Sequence, residues 1–397
     1  MILYTFIAVS VMALAAMVRP TEERMSRQRI LNTLGVAAIF IILTALAAFR
    51  IEVGNDYGTY VNTCHEIRWD GYVVTEPGFN VLVKALYILS GSENYLLMFG
   101  VFAAMINFVF LRSFMEESDS FFWSVSLFML LGIYYRSFST VRYYFVLAIS
   151  IWALKYVVGL LEKDENGKVR INIQSLIIFL AVIGIAALFH KSVLVVIPMY
   201  IVCRLPWKKW VYPLIAVIGV ALFILKDKVM ELALTLYPSY KNTEYLEETR
   251  LITDNIPTLI RIGLVLILCF ICYKEAIEDR EDNKLYMKMN ILAIVLYLSC
   301  YYIPFISRFG YYLITAQILL VPNIIRSVKD SGKRHIIETC VLLVAFVYFV
   351  YFLKTAYNEG LRVLPYKSWL FDSVEFRDQT DFSDTFKLTL LDKYLTR

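Results

Sequence analysis

Four arginines stand where long apolar runs of the sequence meet connecting segments, and we expect them all at one face of the molecule: Arg50, Arg136, Arg142 and Arg308. An ionised arginine near the centre of a bilayer costs roughly 2.5–3.5 kcal/mol, so such residues usually face a polar cavity. For any one of them, a side chain that reaches back to the membrane interface is an equally good explanation. Four from separate stretches predict a shared anionic ligand, because guanidinium groups match the oxygens of a phosphate or pyrophosphate.

Two carboxylates accompany these arginines. Asp56 lies in a glycine-containing turn, and Glu76 precedes a Pro-Gly pair that predicts a rigid bend. Either carboxylate could act as the general base that activates a sugar hydroxyl, and the exposed turn slightly favours Asp56. The alternative for each is a salt bridge to Arg50 or a helix cap. Asp56 is not part of an Asp-x-Asp pair and no zinc spacing is present, so we expect no metal and no cofactor.

A histidine and a set of tyrosines complete the candidate site. His190 ends an apolar stretch and is followed by Lys191, so it is either a structural histidine or an acid, base or pyrophosphate donor at a cavity mouth. Tyrosines cluster near the same boundary, where an aromatic belt or the stacking of sugar rings explains them. They are Tyr57, Tyr60, Tyr134, Tyr135, Tyr143, Tyr144, Tyr311 and Tyr312.

The composition places these residues in a membrane. Hydrophobic residues make up 59% of the chain and charged residues 18%, with a mean hydropathy of +0.63. Soluble domains are about 45–50% apolar and about a quarter charged. The net charge of +5 is small and the basic residues lie between apolar runs, so nucleic acid is not an expected partner.

Apolar runs predict an all-α polytopic membrane protein of about 12 transmembrane helices, with roughly ten to twelve plausible. The run at 2–18 has no basic segment before it and is interpreted as a retained first span. The segment 79–90 is amphipathic and too short to span, which predicts an interfacial or re-entrant helix. The predicted spans are 2–18, 31–49, 94–111, 121–135, 141–161, 171–188, 192–204, 210–225, 259–274, 286–303, 309–325 and 336–353.

Every second connection between these spans is rich in Lys and Arg, as expected for cytoplasmic loops if both termini are outside. The chain is then a single transmembrane domain, residues 1–353, with outer loops at 50–93 and 226–258 and an extracytoplasmic tail at 354–397. The candidate site residues fall on the outer face.

The order of these motifs resembles the EpsG-family polysaccharide polymerases, the Wzy-like proteins of exopolysaccharide and O-antigen assembly. The resemblance covers roughly residues 40–325, and one departure is that Tyr143 and Thr140 stand where glutamine and asparagine often flank the arginine. The motifs that carry it are RIEVGNDYGTY from Arg50, EPGF from Glu76, FSTVRYYFVLAIS around Arg142, LFHKSVLVVIP around His190 and SRFGYYL around Arg308.

This resemblance implies a multi-pass protein of the bacterial cytoplasmic (inner) membrane that joins oligosaccharide repeat units carried on undecaprenyl pyrophosphate. It implies metal- and nucleotide-independent glycosyl transfer at the outer face. Asp56, Glu76 and His190 are the catalytic candidates. A flippase and a chain-length regulator of the same pathway are possible partners. The residues expected to bind pyrophosphate or sugar are Arg50, Tyr57, Tyr60, Arg136, Arg142, Lys191, Arg308 and Tyr312.

Three rival functions remain open. A transferase that moves one sugar from a polyprenyl phosphate usually has an acidic pair in its first outer loop, whereas only Asn55-Asp56 occurs here. A transporter or flippase of lipid-linked sugars is expected to carry basic residues through the bundle, and only Lys155 favours it. An acyltransferase would use His190 as base, but no supporting partner motif is present.

Overall fold

The chain is mostly helical in the computed structural model, which describes residues 1–19, 26–69, 73, 75–163, 168–236, 255–299, 306–358 and 360–371. In the first part, a short antiparallel hairpin of two strands follows nine helices of the described chain. These elements are α1 (Ile2–Met17), α2 (Ser26–Ala48), α3 (Tyr57–Arg68), α4 (Pro77–Ser90), α5 (Tyr95–Glu117), α6 (Phe121–Leu130), α7 (Ile133–Arg136), α8 (Val141–Trp152), α9 (Leu154–Val158), β1 (Leu161–Lys163) and β2 (Val169–Ile171).

The second part is helical throughout its described segments. A 3₁₀ turn at Lys191–Val195 precedes α11, and a π-helical turn at Tyr273–Ile277 follows α14. The helices are α10 (Ile173–Ala187), α11 (Val196–Arg204), α12 (Val211–Ile224), α13 (Lys226–Leu236), α14 (Ile256–Ile271), α15 (Glu281–Ser299), α16 (Ile306–Ile314), α17 (Gln317–Ser327) and α18 (Ser331–Thr355).

The apolar helices identify a membrane protein, but the predicted number of about 12 spans is not confirmed. Four helical segments are long and apolar enough to cross a bilayer by themselves: Gln28–Ala48, Tyr95–Glu117, Val141–Val158 and Ser331–Thr355. Shorter apolar helices occupy other predicted spans, namely Ile2–Met17, Phe121–Leu130, Ile173–Ala187 and Ile256–Ile271. The predicted run 121–135 is divided between α6 and α7, because Gly132 takes a left-handed conformation between them.

The outer segments are only partly described. The predicted loop 50–93 contains α3, which the sequence reading missed, and α4, which matches the predicted amphipathic helix. Pro77 opens α4 and Gly91 ends it in the left-handed conformation, so the helix has standard start and stop residues. Much of the predicted loop 226–258 and of the tail 354–397 lies outside the described residues, and their assignment to the outer face stays a prediction.

Ion pairs gather at the end of the bundle where the basic connections lie. One pair joins the connection between α5 and α6 to the connection between α14 and α15. The other pairs lie within these regions or join them to the ends of neighbouring helices. The pairs are Arg280 with Asp119 and Asp282, Arg204 with Glu281, Lys155 with Glu116, and Lys333 with Glu275. Connections that the pattern of basic loops assigns to one face are therefore neighbours in the fold.

At the opposite end, residues 361–369 form a strap across the segment that follows α2. Backbone N–H groups of Ile51, Gly54 and Asn55 donate to carbonyl oxygens of this strap, at 3.1, 2.7 and 3.1 Å. The Tyr4 hydroxyl of α1 donates to Val363 O at 2.6 Å. Each such bond contributes about 1 kcal/mol. The strap therefore fixes the loop that enters α3.

Candidate active site

A cavity of about 690 Å³ opens where the ends of α3, α8, α14, α15, α16 and α18 meet. Its volume lies within the range of small-molecule sites, about 300–1,000 Å³. Its charged lining residues are Asp56, Arg136, Arg142, His190 and Arg308. Hydroxyl and amide side chains make up much of the remaining lining: Tyr60, Ser139, Thr140, Tyr143, Tyr144, Asn255, Thr258, Tyr297, Ser307, Tyr311, Tyr348, Tyr351, Thr355 and Asn358.

Asp56 immediately precedes α3 and is held by the loop before it. Gly54 has φ +105°, and an added Cβ would lie 2.3 Å from Phe138 O. Asn55 N–H donates to Ser139 Oγ at 3.1 Å. With the strap on its other side, the loop is fixed against the turn between α7 and α8. Only glycine permits this approach, because any side chain at position 54 would collide with the backbone of Phe138.

We therefore expect Gly54→Ala to lower activity at this site about 10²-fold, because it displaces Asp56 without altering the charged residues. Gly58→Ala is the matched control, since a Cβ added at Gly58 meets no atom within 4 Å. The measurement is the activity of membranes that contain equal amounts of each variant. Equal activity of both variants would contradict the role assigned to the close approach of Gly54 to Phe138.

Glu76 connects the elements around the cavity. It pairs with Arg142 of α8, its Oε1 accepts from the Lys191 backbone N–H at 3.1 Å, and the same oxygen lies 3.2 Å from His190 Nδ1. Gly78 N–H donates to Leu188 O at 2.8 Å, so the start of α4 lies directly against the turn that carries His190. Glu76 thereby orients both a guanidinium and an imidazole.

The two carboxylates have opposite electrostatic environments. Burial raises the pKa of Asp56, and the charges of Arg308, Arg142 and His190 only partly offset it. Burial would also raise the pKa of Glu76, but its hydrogen bond to His190, the charge of Arg142 and the Lys191 N–H lower it to about 2. Carboxylates whose pKa values are driven apart usually have different roles. Asp56 is the better proton acceptor, and Glu76 remains an ionised anchor.

Arg142 and Arg308 lie at the first turns of α8 and α16, at the same end of the bundle as Asp56. The Arg142 guanidinium lies over the rings of Phe79 and Tyr60, at 5.1 and 5.8 Å, while it pairs with Glu76. Its backbone N–H donates to the Tyr60 hydroxyl at 3.2 Å. These contacts hold the arginine in one orientation at the cavity wall.

Tyr143 stands where the resemblance leads one to expect glutamine, and it links two walls of the cavity. Its hydroxyl donates to Arg308 O at 2.6 Å, and its ring lies 6.0 Å from the His190 ring. Tyr143 therefore ties α8 to α16, which fixes the spacing between Arg142 and Arg308.

Five of the predicted site residues do not line the cavity: Glu76, which contacts residues that do, and Arg50, Tyr57, Lys191 and Tyr312. Arg50 is 2% exposed; it donates to Ala47 O and, at 3.3 Å, to Phe138 O, and it lies over the Phe99 ring at 4.6 Å. Tyr57 stacks on the same Phe99 ring, and the Tyr312 hydroxyl bonds with Ser192 at 2.9 Å. Lys191 reaches Glu76 through its backbone. These placements favour structural roles, and ligand binding by Arg50, Tyr57, Lys191 and Tyr312 stays a prediction.

The sequence also left unpredicted one arginine beside this cavity and two residues that line it. Arg261 in α14 is 5% exposed and its guanidinium lies 4.9 Å from the centre of the Tyr348 ring, which lines the cavity. Its signal in the sequence is an arginine within the apolar run 259–274, which the hydropathy pattern predicts only as a span. Asn358 and Leu361 were missed because the predicted tail gave no reason to fold back onto the site.

A family model gives independent evidence of the relationship. The model of the EpsG family matches residues 34–368, which is most of the chain and includes every candidate site residue. No curated protein matches the chain, and no solved structure matches it. The match spans the loop of Asp56, the Glu76 element, the arginines of the cavity and all but the last residue of the strap. The chain therefore belongs to the EpsG family, the Wzy-like polymerase family.

Proposed function

We propose that this protein joins oligosaccharide repeat units carried on undecaprenyl pyrophosphate, at the outer face of the bacterial cytoplasmic membrane. The observation that carries this proposal is a single cavity in which Asp56, His190 and three arginines meet. Its position supports it, since the cavity lies at the end of the bundle away from the ion-paired basic connections. Basic loops are typically cytoplasmic, so the cavity would open outward.

The reaction is a glycosyl transfer with Asp56 as general base. Asp56 accepts the proton of an acceptor hydroxyl, whose oxygen attacks the anomeric carbon of the donor sugar. The bond from that carbon to the pyrophosphate oxygen breaks, and the lipid pyrophosphate leaves with the electron pair. Arg142, Arg308 and His190 stabilise the negative charge that develops on it. The leaving group is already activated, so we propose that neither nucleotide nor metal takes part.

Tyrosines give the cavity a surface suited to sugars. The rings of Tyr144 and Tyr311 lie 6.0 Å apart in an edge-to-face arrangement, and both line the cavity. Such rings offer an apolar face for a pyranose and a hydroxyl for its substituents. A donor with several sugars therefore has room and partners along this wall.

The flippase alternative loses its supporting residue. Lys155 Nζ lies 2.6 Å from Glu116 and 4.2 Å from the Trp152 ring, at the end of the bundle where the ion pairs gather. It is held in a surface ion pair, whereas a transport path through the bundle calls for a cation that faces it. The experiment therefore has to distinguish the polymerase from a transferase that moves a single sugar from a lipid carrier.

Deletion of the gene in its host tests the proposal. We expect single lipid-linked repeat units to accumulate in the outer leaflet, where added glycosidases can reach them, and surface polymer to disappear. A plasmid copy of the wild-type chain is expected to restore the polymer. Retention of complete units in the inner leaflet would identify a flippase instead. Accumulation of a unit that lacks one sugar would identify the single-sugar transferase.

A further inference from the structure

A second cavity lies at the end of the bundle opposite Asp56, where the ion pairs gather. It has a volume of about 1540 Å³ and opens between α1, α2, α5 and α6, beside the end of α17 and the first turns of α18. Among the described residues, the two cavities share no lining residue. Small-molecule sites usually have volumes of about 300–1,000 Å³, so the second cavity has room for a larger ligand.

The walls of the second cavity change from polar to apolar with depth. On α2, Asn32, Val36 and Phe40 line it from one face, and Phe40 lies eight positions beyond Asn32, about 12 Å deeper along the helix axis. On α5, Phe108 lies one turn deeper than Arg112, and both line the cavity. Both helices contain segments long and apolar enough to cross a bilayer. The second cavity therefore has a polar mouth at the helix ends and apolar walls toward the bilayer interior.

The polar mouth has two arginines more than its carboxylates require. Its charged residues are Arg19, Arg112, Glu116, Asp119, Arg326 and Glu338. Each of the three carboxylates has a basic partner, and the pairs are Glu116 with Arg112 and Lys155, Asp119 with Arg280, and Glu338 with His335. Arg19 and Arg326 are exposed, and neither forms an ion pair with a carboxylate of the described residues. The mouth thus carries excess positive charge on two guanidinium groups.

The backbone at both of these arginines is fixed. The Arg19 N–H donates to Asn32 Oδ1 at 3.0 Å, and the Arg19 carbonyl oxygen accepts from Asn32 Nδ2 at 2.6 Å. Asn32 Oδ1 also accepts from Gln28 Nε2 at 2.7 Å. Arg326 lies in the last turn of α17. Two positioned cations therefore stand at the mouth of a cavity whose deeper walls are apolar.

We propose that the second cavity binds an anionic phospholipid of the surrounding membrane leaflet. Arg19 and Arg326 hold its headgroup, because guanidinium groups match phosphate oxygens, and the apolar walls hold its acyl chains. Basic pockets between helices at the cytoplasmic side typically bind anionic lipids, and the basic connections predict that this end is cytoplasmic. A zwitterionic headgroup fits less well, since it would place a further cation beside the two arginines. The proposal is independent of the proposed function, because this lipid is not a substrate.

Native mass spectrometry of the purified full-length protein, in detergent with equal amounts of phosphatidylglycerol and phosphatidylcholine, tests this proposal. The wild type is expected to retain phosphatidylglycerol. Arg19→Gln and Arg326→Gln are each expected to lower its retention roughly fivefold, the effect of removing the attraction of one arginine for an anionic lipid. Arg334→Gln is the matched control, because Arg334 is a basic residue of α18 that does not line the second cavity. Equal retention of both lipids by the wild type, or control-level retention by Arg19→Gln and Arg326→Gln, would overturn the proposal.

A second pair of variants tests the apolar walls without changing any charge. Ala37 is exposed and lines the second cavity, so Ala37→Phe is expected to occupy part of it and to lower phosphatidylglycerol retention. Ile41→Phe, at an exposed position of α2 outside the second cavity, is expected to have no effect. Equal retention by these two variants would contradict the placement of the acyl chains and with it the proposal.

Two further measurements complete the test. Added phosphatidylglycerol is expected to raise the thermal unfolding temperature of the wild type and of Arg334→Gln, and to raise that of Arg326→Gln less. A transition in lipid-free detergent shows that each variant is folded, and equal rises in all three would overturn the proposal. Displacement of the bound lipid by a soluble hexaglutamate peptide would identify an acidic protein segment as the ligand instead.

Discussion

Asp56→Asn is expected to produce no detectable polymer, with a rate at least about 10²–10⁴-fold below the wild type. Asparagine keeps the size of the side chain and cannot accept the proton of the acceptor hydroxyl. The protein is expected to remain folded, because the contacts that fix this loop are made by the backbone of Gly54 and Asn55. The measurement is polymer formation from lipid-linked repeat units by purified protein.

The pH dependence gives this variant a second readout. Burial raises the pKa of Asp56, so the wild-type rate is expected to fall as the pH drops through that raised value, where the base becomes protonated. Glu76, with a pKa of about 2, stays ionised across that range and contributes no such decline. Any residual activity of Asp56→Asn is expected to lack the acidic decline.

A matched control and a contrary result complete the experiment. Glu66→Gln removes a carboxylate from the same helix, α3, at a position that does not line the cavity, and is expected to leave the rate unchanged. A normal rate for Asp56→Asn would exclude it as the base. His190, whose ring lies against Glu76, would then be the next candidate.

Arg142→Ala and Arg308→Ala are expected to abolish polymer while the protein is still inserted in the membrane. Removing one preorganised donor from a site that stabilises developing negative charge typically costs about 3–4 kcal/mol, or about 10²–10³-fold in rate. Arg142→Ala has a further effect, since it leaves Glu76 without its guanidinium partner. Arg142→Lys is expected to restore little, because an ammonium group cannot reproduce the planar contact of a guanidinium with phosphate oxygens.

Arg112→Ala is the control for these variants. It removes an arginine from a surface pair at the opposite end of the bundle, where such pairs contribute about 0–1 kcal/mol. Equal amounts of protein in the membrane fraction, with polymer measured in the same cells, separate catalysis from folding. Normal polymer from both Arg142→Ala and Arg308→Ala would count against the phosphate-binding role of this end of the cavity.

The sequence predicted that arginines meet in one cavity better than it predicted which residues line that cavity. Arg136 and Arg142 flank one short turn, Arg308 lies more than 160 residues later, and all three line one cavity, as the argument from a shared anionic ligand predicts. Arg50 looked equivalent because it also follows an apolar run. In the fold, its guanidinium lies against Phe99 and donates to the carbonyl oxygens of Ala47 and Phe138. An arginine at the end of an apolar run is expected near the membrane interface, but its position in the sequence does not predict the direction in which its side chain points.

Other features of the site could not be predicted from the order and spacing of residues along the sequence. The pairing of Glu76 with Arg142 and His190 joins residues 66 and 114 positions apart, and only the close approach of Gly78 to Leu188 brings them together. The sequence therefore identified Glu76 as a carboxylate at a bend, but not as an anchor. Arg261 was hidden by the hydrophobicity of its own helix. Helix ends were predicted closely where caps or Pro-Gly pairs mark them, as for α4.

The strap adds a constraint on how the polymerase is assembled. A nascent chain that has reached Thr355 contains every described apolar helix, yet residues 361–369 have still to be synthesised and carried to the loop of Asp56. Until they bind Ile51, Gly54 and Asn55, that loop lacks three of its backbone hydrogen bonds. The described helices can therefore be inserted before the loop of Asp56 is fixed in place. We therefore expect the loop of Asp56 to reach its final position only after the strap has docked.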